Sequence, residues 1–200
     1  MITLIVPLRG EPPEAREAAL GLAEEGVEVL LAEGEGPRGA RLSAAAATAR
    51  GDVLLFLHAD TKLPAGWKPL VETAVVRGAS SGAFRLAFDG GGARMAAVAF
   101  SANLRTALTR VPYGDQAPFV RRDVYESLGG HRPWPLLEDV DLASRLKRAG
   151  RVVILRPKVR TSPRRYLEKG IVRTLLRNKW ILLRYHLGAD PETLARLYRS

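Results

Sequence analysis

Apolar and polar positions along this 200-residue chain follow two periods, and their succession predicts most of its elements. Ile2 to Pro7, Val27 to Ala32 and Val53 to Leu57 are short, mostly apolar runs rich in β-branched and aromatic residues. Runs of this length suit strands buried on both faces, although apolarity alone leaves a helix open for the third. Between the first two, Pro12 and Pro13 open a helix predicted through Glu14 to Glu25, with Gly26 as its stop. Between the second and third, the alanine-dense stretch Ala40 to Arg50 predicts a helix capped by Gly51. The first sixty residues therefore read βαβαβ, the pattern of a parallel sheet covered by helices.

The period changes further on. Trp67, Leu70, Val71, Ala74 and Val75 share one face of a helix predicted over Trp67 to Arg77. Phe84, Leu86 and Phe88 alternate with Ala83, Arg85 and Ala87, as in a half-buried strand. After the turn Asp89 to Gly92, a helix is expected over Ala93 to Leu108. A polar loop, Pro112 to Gln116, leads to a short strand at Ala117 to Arg121 and a short helix at Val124 to Leu128. Pro133, Trp134 and Pro135 impose an extended approach to Glu138, where a helix carries Leu142, Leu146 and Ala149 and ends at Gly150. Val152 to Leu155 reads as a last strand. From Thr161 the chain is expected to be mostly helical, with Asp190 and Pro191 starting a final short helix.

Composition narrows the class. The chain is 46% hydrophobic and 26% charged, a globular balance. It has no cysteine, which excludes disulfides, thiolate zinc sites and cysteine nucleophiles and fits a reducing compartment. The N-terminal residues read as a strand rather than a signal peptide, and no apolar run reaches the roughly 18 residues of a membrane span. Thirty-one Lys and Arg against 21 Asp and Glu leave a net charge of +10, densest from Lys147 to Arg184. That surplus suits phosphorylated small molecules, anionic lipid or nucleic acid. Zinc-finger spacing, an RNP-like aromatic motif and an evident helix-turn-helix are all missing, which disfavours nucleic acid.

Four stretches carry candidate chemistry. The strand Val53 to Leu57 ends in His58 and Asp60, and ligands of open α/β sheets lie beyond the carboxyl ends of strands. A carboxylate there can hold a divalent metal on a substrate phosphate, or simply cap the next helix. The loops Leu8 to Glu11 and Glu33 to Arg41 leave the same sheet edge, with Arg38 and Arg41 available for phosphates. They match neither the P-loop nor the dinucleotide glycine pattern. Glu138 and Asp139 compensate a helix dipole or supply a general base. Tyr113-Gly114-Asp115-Gln116 is a capped turn or a sugar-binding loop, and Arg164-Arg165-Tyr166 is a basic helix entrance or a diphosphate clamp.

In order and spacing, several stretches together resemble the family 2 glycosyltransferases of the GT-A fold. They are Ile5-Val6-Pro7, Gly51 through Thr61, Tyr113 through Gln116 with Phe119 through Arg122, Leu128-Gly129-Gly130, Leu137 through Leu142, and Thr161 through Tyr166. Within that family the chain is most similar to a compact bacterial subfamily sometimes linked to arsenosugar biosynthesis. The resemblance implies an α/β fold with a mainly parallel, mixed sheet flanked by helices. It also implies metal-dependent, inverting transfer from a UDP- or GDP-linked sugar. Asp60 stands at the metal-binding position of the family's Asp-x-Asp motif, with His58 at the first position, and the ion is Mn²⁺ or Mg²⁺. Asp139 matches the base, with Glu138 beside it. Pro7 and Glu11 correspond to the nucleobase loop, and Glu33 stands where the family places an Asp. Gly114, Asp115, Gln116, Arg164, Arg165 and Tyr166 fall on the acceptor and diphosphate side. The chain departs from the family at Gly10-Glu11, where Asn-Glu is usual, and at Ala32 to Gly36, where Asp-Gly-Gly-Ser is usual and the connection is longer.

The expected organisation is one domain over residues 1–200: a nucleotide-binding part (1–60), an acceptor and catalytic part (61–160) and C-terminal helices (161–200). The expected partners are a nucleoside diphosphate sugar and an unidentified sugar acceptor, free or lipid-linked. The expected location is cytoplasmic. The basic, apolar stretch Ile171 to Arg184 leaves open a helix packed on the domain, a homodimer interface or peripheral contact with the inner face of a membrane. Rival readings are a sugar-nucleotide-binding protein without turnover, a basic nucleic-acid module and a non-catalytic subunit.

Overall fold

The computed structural model describes all residues except Arg9, Glu11 and Ser200. A seven-stranded sheet runs in the order β2-β1-β3-β6-β5-β7-β4. Its strands are β1 (Ile2–Pro7), β2 (Val27–Ala32), β3 (Val53–Phe56), β4 (Thr61–Lys62), β5 (Ser81–Phe88), β6 (Phe119–Arg121) and β7 (Val152–Thr161). β1 pairs in parallel with β2 and β3, and β5 in parallel with β7. β6 runs antiparallel between β3 and β5, and β4 antiparallel on β7. The sheet is thus mainly parallel and mixed, as the alternation of strand and helix patterns implies.

Alternate residues of the central strands feed two cores. Ile2, Leu4 and Val6 of β1 and Leu55 of β3 face one side, with Ala19 of α1 (Pro13–Leu20) and Val71 of α3 (Trp67–Val76). Ile5, Leu54 and Phe56 face the other, with Leu42 and Ala46 of α2 (Arg38–Ala47), Tyr125 of α5 (Arg122–Ser127) and Leu142 and Leu146 of α6 (Glu138–Ala149). The longest helix, α4 (Gly92–Thr109), packs on β5. The chain closes with α7 (Arg164–Lys169), α8 (Ile171–His186) and α9 (Pro191–Arg199). Asp190 accepts the Thr193 N–H at 2.9 Å, as its expected capping role requires. Among the described residues, no helix is long and apolar enough to cross a membrane.

Several boundaries differ from the pattern-based expectation. α1 stops at Leu20 rather than Glu25, because the Leu22 and Ala23 N–H groups return to carbonyls only three positions back, Ala19 at 3.2 Å and Leu20 at 3.1 Å, and the α-helical ladder ends there. α2 begins at Arg38, which places Arg38 and Arg41 on a helix rather than in a loop. β5 starts at Ser81, between β6 and β7, and its residues from Ser81 to Phe84 are all buried, so the alternation expected of a half-buried strand begins only at Arg85. β7 runs to Thr161 rather than Leu155. Its register on β5 shifts between the pairs Phe84–Leu155 and Arg85–Lys158, which leaves Arg156 and Pro157 unpaired. Proline has no N–H for a ladder, so the irregularity falls where it costs least.

β6 pairs with β5 only at Ser81 and Gly82. Beyond that point side-chain amides replace the missing strand. Gln116 Nε2 donates to the Phe84 carbonyl at 3.1 Å, while Asn103 of α4 accepts the Leu86 N–H at 2.8 Å and donates to its carbonyl at 2.9 Å. Buried backbone groups require such partners. Gly82 sits where the three strands meet, and a Cβ there would lie 2.4 Å from both the Phe119 ring and the Val153 carbonyl. Gly82→Ala is therefore expected to destabilise the fold by about 1–3 kcal/mol through overpacking, read as a lower urea midpoint at unchanged m-value.

Candidate functional site

Strands β1, β2, β3, β5 and β7 end on one edge of the sheet, and the antiparallel β6 begins there. The order reverses at β1, which has β2 on one side and β3 on the other. Open α/β sheets form their ligand crevice at such a switch point. The segment after β3, the turn before β6, the start of α6 and the segment after β7 all gather at this edge.

Arg38, at the first position of α2, joins two of them. Its Nη1 donates to Glu138 Oε1 at 2.6 Å and its Nη2 meets His58 Nε2 at 2.6 Å. A guanidinium only donates, so His58 accepts at Nε2 and carries its ring proton on Nδ1. Burial, reinforced by the positive charges of Arg38 and Arg165, holds His58 well below the usual imidazole range. Glu138 is buried, and desolvation pushes its carboxyl up to about 7 against the pull of Arg38.

Asp139 is half-buried beside this pair. Its Oδ2 accepts the Gly114 N–H at 2.7 Å and its Oδ1 accepts the Val140 N–H at 2.8 Å. Gly114 is required by close approach: a Cβ there would stand 2.7 Å from His58 Nε2 and 3.0 Å from Asp139 Oδ2. Asp115 follows, with burial pushing its carboxyl up to about 6; Asp139 and Asp60 add to the rise and Arg105 opposes it. Two non-glycine residues flank these groups in the left-handed region, Ala117 at φ 45° and Leu137 at φ 63°. Such conformations cost about 1–3 kcal/mol each and collect at functional sites.

Asp60 is exposed at the crevice. Its Oδ1 accepts from Thr161 Oγ1 at 3.3 Å, and Thr161 in turn accepts from Thr61 Oγ1 at 3.0 Å. The two-residue strand β4 thus clamps Asp60 to the end of β7, directly before Arg164-Arg165-Tyr166. Tyr166 stacks edge-on against Phe88 at 5.5 Å, and burial and the Asp115 charge push its hydroxyl up. Arg165 donates to the Tyr198 hydroxyl at 2.7 Å.

The expected site residues separate into two groups. The fold brings together Arg38, His58, Asp60, Gly114, Asp115, Glu138, Asp139, Arg165 and Tyr166. Gln116 shares the turn but is fully buried, and its Oε1 accepts from Thr106 Oγ1 at 2.7 Å. It braces β5 instead of facing an acceptor. Arg41, expected on a phosphate, is buried, and its Nη1 donates to the Leu8 and Ala32 carbonyls, so it ties together the ends of β1 and β2. Arg164 is exposed and leans toward Glu168 at 3.9 Å. Glu33 pairs with Arg16 on the surface, Pro7 is buried at the end of β1, and Glu11 lies outside the described residues. His58 was expected as a metal ligand; with Nδ1 protonated and Nε2 taken by Arg38, neither nitrogen offers a lone pair to an ion. Among the described residues, no three His, Cys, Asp or Glu side chains form a group able to hold a metal. Asp60 alone suits a cation whose remaining ligands are substrate phosphates and water, the usual habit of Mg²⁺.

Arg105 of α4 belongs to the site and was not anticipated. Its guanidinium lies 3.2 Å from the Tyr113 ring centroid and donates to the Val111 carbonyl at 3.0 Å. An arginine in a helical pattern carries no signal that separates this role from a solvated face. Tyr198, which accepts from Arg165, sits in a helical pattern that likewise carries no signal of this contact.

No protein-family model matches the chain, and no curated relative is found by sequence. Solved structures do match. TarS 1-349 of S. aureus superposes with a TM-score of 0.56 at 14% identity, over 84% of this chain and 62% of that one. The mannosyltransferase PcManGT from Pyrobaculum calidifontis, solved with GDP-Man and Mn²⁺, superposes with a TM-score of 0.61 at 16% identity, over 80% and 56%. The chain thus spans between 56% and 62% of the length of these neighbours. The likeness is one of architecture, the GT-A fold.

Arg38→Ala leaves Glu138 buried without its partner. The expected loss is roughly 3–5 kcal/mol by urea unfolding well above pH 7, shrinking well below pH 7 as Glu138 takes up a proton. Asp115 holds its proton more tightly in the folded state than in the unfolded chain. Its contribution therefore lowers stability as pH rises from 3.8 to about 6. In thermal melts across that window, Asp115→Asn is expected to gain on the wild type as pH increases.

Proposed function

We propose that this GT-A fold moves a glycosyl group from a UDP- or GDP-linked sugar to an acceptor hydroxyl, with inversion at the anomeric carbon. The observation that carries the reading is the Asp139 carboxylate, held by the Gly114 and Val140 N–H groups beside Asp115, where the Asp60 charge is also felt. Neighbours of the same architecture were solved with UDP, UDP-GlcNAc and GDP-Man with Mn²⁺, which supports a nucleotide-sugar donor here.

In this reading the segments after β1 and β2 receive the nucleoside, so residues 1–60 form the nucleotide part and 61–160 the catalytic and acceptor part. Asp60 would hold Mn²⁺ or Mg²⁺ on the donor diphosphate, and the ion would supply neutralisation of the charge on the leaving group. Arg165, whose positive charge is felt at His58, supplies a second positive charge for the donor diphosphate. Asp139 takes the acceptor proton as its oxygen bonds to the anomeric carbon and the bond to the diphosphate oxygen breaks. A single base and one displacement yield inversion. Glu138, locked by Arg38, sets the position of Asp139 instead of sharing its chemistry.

Asp139→Asn is expected to lower the transfer rate by about 10²- to 10⁴-fold while UDP or GDP still raises the melting temperature. Asp60→Asn is expected to abolish the Mn²⁺-dependent part of that rise with the fold intact. Full transfer by the Asp139 variant, or an unchanged Mn²⁺ effect in the Asp60 variant, would remove that residue from the mechanism.

A further inference from the structure

α8 is amphipathic in an unusual sense: its inner face is covered and its outer face is also apolar. Thr174 and Ile181 are buried, with Ile181 packing against Leu137, Val140 and Leu194. On the other side Val172, Leu176, Trp180, Leu183 and Leu187 are 70, 63, 46, 56 and 78% exposed. At 3.6 residues per turn these five fall within an arc of about 80°. Arg173 and Arg184 flank the arc on one side and Lys179 on the other, all exposed. From Lys169 to Ala189 there are five Lys and Arg residues and no acid. A second exposed stripe, Phe100, Leu104 and Leu108 of α4, leads into Val111 and Tyr113, which pack in the same cluster as α8.

We propose that the outer face of α8 docks on an anionic lipid bilayer, with its five apolar side chains between the acyl chains and its basic flanks at the headgroups. Charge complementarity selects this occupant. A second copy meeting α8 across a two-fold axis would bring basic flank against basic flank with no acid to pair them. Nucleic acid would satisfy the flanks and leave the apolar arc against phosphates. An interfacial helix needs both features together. α8 follows α7 directly, and α7 carries Tyr166 and Arg165, so docking brings that rim of the crevice to the membrane surface. The inference does not depend on the transfer reaction.

The test is flotation of the full chain with vesicles of phosphatidylcholine alone and of an equal mixture with phosphatidylglycerol. Binding is expected to be about tenfold or more tighter to the anionic vesicles. Leu176→Glu/Leu183→Glu is expected to lose that binding, with an unchanged melting curve because both positions are exposed. Brominated lipid should quench the tryptophan emission of the wild type and not of Trp180→Phe. No binding to anionic vesicles, or binding that the double variant retains, overturns the proposal. So does a dimer in gel filtration that the double variant dissociates.

Discussion

The ion pair between Arg38 and Glu138, with His58 on the second arm of the guanidinium, is the contact on which the crevice depends. It spans 100 positions of sequence and joins the start of α2 to the start of α6. Both carboxylates of the Glu138-Asp139 pair are placed by it. Glu138 is buried against the arginine, and Asp139, one position on, is left facing Gly114 and the open side. A buried pair of this kind adds little net stability, because desolvation cancels much of the attraction. Its effect is positional, since removing either partner leaves the other charge in a place it cannot tolerate.

The same economy recurs around it. Gly39 allows the chain at Arg132 to Trp134 to lie against α2, where its N–H donates to the Trp134 carbonyl at 3.1 Å and a Cβ would stand 1.9 Å from the Arg132 carbonyl oxygen. Gly114 allows His58 and Asp139 to approach the turn before β6. Gln116 and Asn103 complete the backbone of β5 where no strand reaches it, and Arg41 holds the ends of β1 and β2. Polar side chains that a sequence reader assigns to ligands are here used as backbone partners, because a crevice at the end of a sheet exposes many carbonyl and N–H groups.

The electrostatics of the crevice follow from crowding. Asp60, Asp115, Asp139 and Glu138 face Arg38, Arg105 and Arg165 across a partly desolvated space. Groups that are buried deepest have their ionisation opposed: Asp115 and Glu138 are pushed up and His58 is pushed down.

The sequence alone determined the order of the elements apart from the two-residue strand β4, the buried strands and the acids at strand and helix ends, because burial imposes a period that apolar residues display directly. Ile2 to Pro7, Val27 to Ala32 and, one residue longer than the strand itself, Val53 to Leu57 were legible in this way, as were the positions of Asp60 and the Glu138-Asp139 pair. Tertiary structure decided what each polar side chain touches. Arg38 and Arg41 lie one helical turn apart, yet one faces the crevice and the other backbone carbonyls. His58 and Asp60 differ by two positions, yet one is bonded to Arg38 and the other is exposed. These outcomes depend on contacts between residues distant in the chain, for which local period and spacing carry no signal.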